Sequence, residues 1–267
     1  MASGKSTRYV YTYLHGMFSG PHSRKGQLLS EYLRQHGQYL HQPNLNNADA
    51  VPLRISAAMD VLHKFYQDNK LQVAPTNAGP ITHGASQHDV RLRIVASSYG
   101  GYLAARFAHL HDECVDSLIL LCPAFNPNFH FRHVFGEIRW AAFERTGQME
   151  MQTGMRPHGA AVSETGWYAV QCPYSIFEDA RDNHPPFPLV TCPTHIVHAS
   201  RDRVISPHSS QEYVDEHRRQ LGFHDKDGRP WPLRRETVDD DHFMTSPTST
   251  ARIRAVVNAM WKIDSAS

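Results

Sequence analysis

The sequence of 267 residues predicts an α/β protein with a doubly wound, mostly parallel sheet. Two observations predict this class: β-like apolar segments alternate with amphipathic helical segments, and short loops rich in Gly or Pro separate them. With 40% hydrophobic and 20% charged residues, the chain can bury a large core. Because no shift in composition divides the sequence, we expect a single domain over residues 1–267.

The first part of the chain predicts two strands and two helices. Residues 8–14 are β-branched and aromatic and predict a buried strand. Ser23 can cap a helix that Gly37 ends. Residues 38–43 predict the second strand, and residues 52–69 carry apolar side chains at helical spacing.

The same alternation continues further along the chain. Residues 72–89 contain Pro, Gly, Asn and Ser without periodicity, so they predict a long surface loop. The remaining elements are strands at 92–96, 115–121, 194–198 and 233–238 and helices at 99–110, 207–220 and 248–263. Together with the first two strands, they make a sheet of about six strands.

Residues 124–188 interrupt the alternation and are interpreted as a helical cap inserted in the domain. Aromatic and Met side chains in this segment could line a ligand pocket. A satellite subdomain that only shields the sheet edge is the alternative. The side chains in question are Trp140, Phe143, Met149, Met151, Met155, Trp167, Tyr168 and Phe177.

The turn between the strand at 92–96 and the following helix predicts a serine nucleophile. A nucleophilic Ser on a strand-to-helix turn needs small residues two positions before and after it. Ala96 and Gly100 meet this requirement for Ser98, so the turn resembles the G-x-S-x-G elbow of α/β-hydrolases. Ser97 would place larger residues at both positions and is the weaker candidate. A serine that only caps the helix is the alternative interpretation.

Backbone amides near this turn could stabilise an oxyanion. In α/β-hydrolases, one donor is the N–H of the residue after the nucleophile, and a second comes from a loop after an earlier strand. These positions correspond to Tyr99 and Met17. His15 and Gly16 precede Met17 directly after the first predicted strand, where Gly16 lets the backbone turn its amide inward.

The acid and base of a triad should follow the serine, each just after a strand. Asp202 follows the strand at 194–198, whereas the strand at 115–121 has no carboxylate after it until Glu137. His242 follows the last strand and precedes the last helix. Ser98, His242 and Asp202 therefore form the predicted triad. One carboxylate of Asp239–Asp241 could replace Asp202, although a solvated turn is the simpler interpretation of that run.

Several segments resemble the small bacterial YqiA-type esterases. They are Tyr13-Leu14-His15-Gly16-Met17, Gly20-Pro21-His22-Ser23-Arg24-Lys25, Ala96-Ser97-Ser98-Tyr99-Gly100-Gly101-Tyr102, Glu236-Thr237-Val238 and Asp241-His242-Phe243. The resemblance implies strand order 2-1-3-4-5-6 and hydrolysis of a carboxylic ester, with the triad and amide donors named above. The loop at 72–89, a longer cap and extra residues at about 221–232 depart from that group, so substrate specificity does not carry over.

Composition and motifs narrow the possible partners. A formal net charge of +1 creates no strong positive field over the whole protein, so we expect neither nucleic acid nor an anionic membrane as partner. The sequence has no apolar leader and no apolar stretch of membrane-spanning length, so we expect a cytoplasmic protein without stable membrane insertion. The four cysteines form no C-x-x-C pair and predict reduced thiols. His109-x-His111 and His130-x-x-His133 match no metal motif.

The predicted substrate is a small acyl ester, and the predicted chemistry needs no cofactor or metal. Cleavage of a thioester or an amide by the same triad is a second possibility. A noncatalytic binding protein that keeps the fold is a third. The sequence leaves the oligomeric state open.

Overall fold

A computed structural model describes residues 7–71, 89–224, 228–229 and 231–263. The six strands of its central sheet all pair in parallel. They are β1 (Thr7–Leu14), β2 (Leu40–His41), β3 (Asp89–Ser97), β4 (Val115–Leu121), β7 (Thr194–Ala199) and β8 (Leu233–Val238). Their order is β2-β1-β3-β4-β7-β8. Counted within this sheet alone, it is the predicted order 2-1-3-4-5-6, and two further strands form a separate sheet.

Helices cover both faces of the central sheet. They are α1 (Arg24–Gln35), α2 (Ile55–Leu71), α3 (Tyr99–Leu110), α7 (Pro207–Leu221) and α8 (Pro247–Trp261). A buried cluster on one face includes residues of α2, α3 and α7, and a second cluster on the other face includes residues of α1 and α8. This arrangement is the doubly wound α/β class that the sequence predicts.

Two predicted boundaries in the first part of the chain are wrong. The helix predicted from residue 52 begins at Ile55, because Leu53 N–H donates to the Leu45 carbonyl and Pro52 forms a β-bridge with Asn46. The second strand has two residues instead of six. Pro43 follows it and has no N–H to donate to a ladder.

Residues 124–188 form a compact insertion between β4 and β7. It contains α4 (Pro127–Phe135), α5 (Glu137–Thr146), an antiparallel pair β5 (Gln148–Thr153) and β6 (Tyr168–Pro173), and α6 (Ser175–Asn183). Its buried aromatic cluster, called the insertion core below, centres on Trp140, Phe143, Tyr174 and Phe177. The rings of Phe143 and Trp140 meet edge to face, with centroids 6.0 Å apart.

The insertion core corrects one expectation about the aromatic and Met side chains. Half of the eight pack against one another, because Trp140, Phe143, Met151 and Phe177 are buried in this core. The predicted loop at 72–89 lies outside the described residues except for Asp89, which begins β3. Among the described residues, every helix is too short or too polar to cross a bilayer.

Candidate active site

Ser98 lies on a sharp turn between β3 and α3. Its backbone has φ 55° and ψ −122°, a conformation that a non-glycine residue rarely adopts and that is found at strained functional turns. The turn is held by hydrogen bonds, since Ser98 N–H donates to the Leu121 carbonyl at 2.9 Å and the Ser98 carbonyl accepts from Ala124 N–H at 3.0 Å. Ser97 remains in the strand, so the sharp turn falls at Ser98, as predicted for a nucleophile elbow.

Close backbone contacts explain why small residues surround Ser98. A Cβ at Gly100 would lie 2.6 Å from the Leu14 carbonyl oxygen, and a Cβ at Gly16 would lie 3.2 Å from Ser98 Cβ. Ala96 is fully buried between β1 and β4. These contacts bring the end of β1, the start of α3 and the Gly16 loop together around one serine.

Asp202 and His242 meet as a hydrogen-bonded pair. His242 Nδ1 donates to Asp202 Oδ2 at 2.6 Å, and the Asp202 side chain is fully buried. With the proton on Nδ1, the Nε2 of a neutral His242 ring is an acceptor, which a general base requires. Because β7 and β8 are parallel neighbours, the residues that follow them meet at the same sheet edge as Ser98.

Asp202 is held as a carboxylate by its surroundings. Its Oδ1 accepts hydrogen bonds from Val204 N–H and Ile205 N–H, both at 2.8 Å. Burial alone would raise the pKa of Asp202, but hydrogen bonds from His198 and His242 hold that pKa well below its usual range. The acid is therefore ionised at neutral pH and can stabilise a positive charge on His242.

His198 is a partner of Asp202 that was not predicted from the sequence. Its Nε2 lies 3.4 Å from Asp202 Oδ2 and donates to the Ile205 carbonyl at 3.0 Å. It is fully buried at the end of β7, four residues before Asp202. That spacing was the available signal, but a chain with 19 histidines offers many such pairs.

The Asp239–Asp241 run builds the turn that presents His242. Asp240 accepts from Asp241 N–H at 2.9 Å and from Ser246 N–H at 3.2 Å, and Asp241 accepts from Phe243 N–H at 2.9 Å. Asp239 is exposed and pairs with Arg201. The carboxylate that bonds the His242 ring is that of Asp202 and not one of this run.

The predicted oxyanion donors lie on either side of Ser98. Tyr99 is the first residue of α3, so its N–H has no acceptor within the helix. His15 shapes the loop before Met17, because its Nε2 accepts from Leu45 N–H at 3.1 Å and its Nδ1 donates to the Gly16 carbonyl at 3.0 Å. Burial lowers the pKa of His15, which keeps the ring neutral and both hydrogen bonds intact.

A cleft of about 540 Å³ brings these groups together. Ser98, Met17 and His242 line it, as do Met155 and Trp167 from the insertion. Between the described side chains there is no direct hydrogen bond from Ser98 to His242. Met17 also packs on the insertion core, so the insertion supports the loop that carries a predicted oxyanion donor.

Part of the chain matches a known protein family. The model of the family described as serine aminopeptidase, S33, matches residues 81–224. No curated protein matches significantly. The esterase resemblance noted above stays a prediction.

Solved structures with the same fold cover nearly the whole chain. Alpha/beta hydrolase domain-containing protein 10 from mouse has a TM-score of 0.59 at 16% identity, covering 99% of this chain and 93% of that one. A monoacylglycerol lipase from Paleococcus ferrophilus has a TM-score of 0.61 at 14% identity, covering 97% of both chains. Est1E from Butyrivibrio proteoclasticus has a TM-score of 0.59 at 13% identity, covering 97% and 90%. At these identities the likeness concerns the fold.

Proposed function

Because the chain belongs to the serine aminopeptidase S33 family of α/β-hydrolases, we propose that it is a serine hydrolase that cleaves carboxylic esters. The observation that carries the proposal is the strained Ser98 turn beside the His242–Asp202 pair at 2.6 Å. A serine hydroxyl needs such a base to become nucleophilic at neutral pH. The three residues occur in the chain order expected for this fold.

In the proposed mechanism, His242 Nε2 takes the proton of Ser98 as its oxygen attacks the acyl carbon. The tetrahedral oxyanion is stabilised by the N–H groups of Met17 and Tyr99. Asp202 orients the imidazole and stabilises its positive charge. His242 then gives the proton to the leaving alcohol, and water releases the acyl group from Ser98 by the same steps. The mechanism uses no cofactor or metal.

The ester is proposed as the substrate bond because a lipase is among the structural neighbours. The family description names an aminopeptidase, which favours an amide as the second candidate. A thioester can be attacked by the same groups. The insertion packs against the Met17 loop and lines the cleft, so we propose that it acts as a cap over the acyl site.

The test is turnover of matched ester, thioester and amide substrates that share one acyl group, by the wild-type protein and by Ser98→Ala. We expect the ester to be cleaved fastest and Ser98→Ala to lose about 10⁴- to 10⁶-fold in kcat. The neighbouring Ser97→Ala serves as a matched control and should keep most of the activity. Equal turnover by Ser98→Ala and the wild type would exclude the mechanism, and turnover of the amide alone would exclude the ester.

A further inference from the structure

The cleft beside Ser98 carries an uneven distribution of charge. Its lining includes the cations Arg24, Lys25 and Arg156, and among the described residues no Asp or Glu lines it. The whole chain has a net charge of only +1, so the excess of positive charge is local. A cleft lined by charge of one sign attracts ligands of the opposite sign.

The three cations differ in how far their charge is already balanced. Lys25 is partly buried and donates to the His242 carbonyl at 3.4 Å. The carboxylates of Asp202, Asp240 and Asp241 attract its positive charge. It therefore has acidic neighbours that do not themselves line the cleft. Lys25 supports the loop of His242 more directly than it offers a free charge to a ligand.

Arg24 and Arg156 offer positive charge without a paired carboxylate. Within the described part of the chain, neither makes an ion pair, and the Arg156 guanidinium donates only to the Ala160 carbonyl, at 2.6 and 2.8 Å. Arg24 begins α1, whose N-terminus adds a partial positive charge at the same side of the cleft. Arg156 follows β5 of the insertion, so the two arginines reach the cleft from α1 and from the insertion.

Apolar side chains line the same cleft as these cations. Phe18, Met155, Trp167 and Phe243 line the same cleft, and Trp167 and Phe243 are more than half exposed. A ligand that fits this lining has an apolar or aromatic body. A lining of positive and apolar groups suits a molecule that carries a negative charge and an apolar body.

On the basis of the proposed function, we infer that the substrate is an anionic ester: an apolar acyl or aryl ester with a carboxylate or phosphate that Arg24 and Arg156 bind. Guanidinium groups suit these two anions because they can donate two parallel hydrogen bonds to each. The carboxylate or phosphate is a part of the substrate that is not cleaved, while Ser98 attacks the ester carbon.

The test compares kcat/KM for pairs of esters that differ in one charge. Mono(4-nitrophenyl) adipate and its methyl ester place the charge on the acyl side, whereas 4-acetoxybenzoate and 4-acetoxybenzamide place it on the leaving group. A further ester, 4-acetoxyphenyl phosphate, distinguishes phosphate from carboxylate. We expect the anionic member of at least one pair to be preferred by about 25-fold, which is about fivefold for each arginine, and this preference to shrink between about 0.05 and 0.5 M salt.

Arginine variants show whether these side chains cause the preference. Arg24→Gln and Arg156→Gln should each lower the ratio of anionic to neutral kcat/KM by about fivefold, as expected for a charge pair at about 4 Å in water. Arg34→Gln is the matched control, because Arg34 lies on the same helix but pairs with Glu31. It should not change the ratio.

Two failures can be told apart. If Ser98→Ala abolishes ester turnover but every ratio is near one, or the ratios do not respond to either arginine, the anionic substrate is excluded and the serine hydrolase stands. If Ser98→Ala cleaves both members of a pair at the wild-type rate, the proposed function fails and the anionic substrate falls with it.

Discussion

Asp202→Asn tests the proposed role of the Asp202–His242 pair. In the wild type, Asp202 Oδ2 accepts from His242 Nδ1 at 2.6 Å, and the carboxylate is fully buried. In the proposed mechanism, His242 takes the Ser98 proton and becomes a cation beside this anion. At an effective dielectric constant of about 20, unit charges separated by about 2.6 to 4 Å attract by about 4 to 6 kcal/mol.

Loss of that attraction corresponds to a decrease of about 10³- to 10⁵-fold in kcat. The side-chain amide that this substitution introduces can also donate toward His242 Nδ1 and favour the wrong tautomer, which acts in the same direction. The measurement is kcat for a 4-nitrophenyl ester, with thermal unfolding to confirm that the variant is folded. Asp239→Asn is the control, because Asp239 is exposed and pairs with Arg201. A folded Asp202→Asn protein with more than about a tenth of wild-type kcat would refute the assignment of the acid.

Three further predictions concern packing and pH. Gly100→Ala should cost about 1–3 kcal/mol of stability and at least about tenfold in kcat/KM, because its Cβ would lie 2.6 Å from the Leu14 carbonyl oxygen. The control Gly37→Ala is strained at φ +70° but far from other atoms, so it should lose stability and keep its kcat/KM. Equal losses of kcat/KM in the two variants would argue against a local effect at Gly100. Burial and the nearby His198 and His133 lower the pKa of His130 to about 4, so the folded state disfavours its protonation and loses about 2 kcal/mol between pH 7 and pH 5. His130→Gln should reduce that loss in urea unfolding, and an unchanged pH dependence would contradict it. Trp140→Ala should destabilise the insertion core by about 3–5 kcal/mol, measured by thermal unfolding, whereas a loss below about 1 kcal/mol would show that this core is not tightly packed.

The strands of the central sheet and the helices beside it could be predicted because each is indicated by the pattern of residues within its own segment. The bounds of α3 and β4 agree with those predicted, since each is a continuous apolar segment with a clear stop. The β5–β6 pair was missed because a long irregular segment separates its strands and β5, with the sequence QMEMQT, is mostly polar. Met149 and Met151 alternate with polar residues in β5, which was a weak signal for it.

Part of the candidate site could be selected from the sequence because strand ends order its residues along one sheet edge. Ser98, Asp202 and His242 could be selected by their positions after strands. The contact of His198 with Asp202 and the approach of Arg24 and Arg156 to one cleft depend on how distant segments pack. No local pattern distinguishes these side chains from ordinary surface or core residues.

The most direct test of the central claim is the reaction of the folded protein with a fluorophosphonate, followed by intact mass and peptide mapping. We predict one adduct per chain on Ser98, because the strained turn exposes its Oγ to the cleft beside His242. The adduct should be absent in Ser98→Ala and form much more slowly in Asp202→Asn. An unlabelled Ser98 in folded protein, or equal labelling of Ser98 and other serines, would contradict an activated nucleophile at this turn.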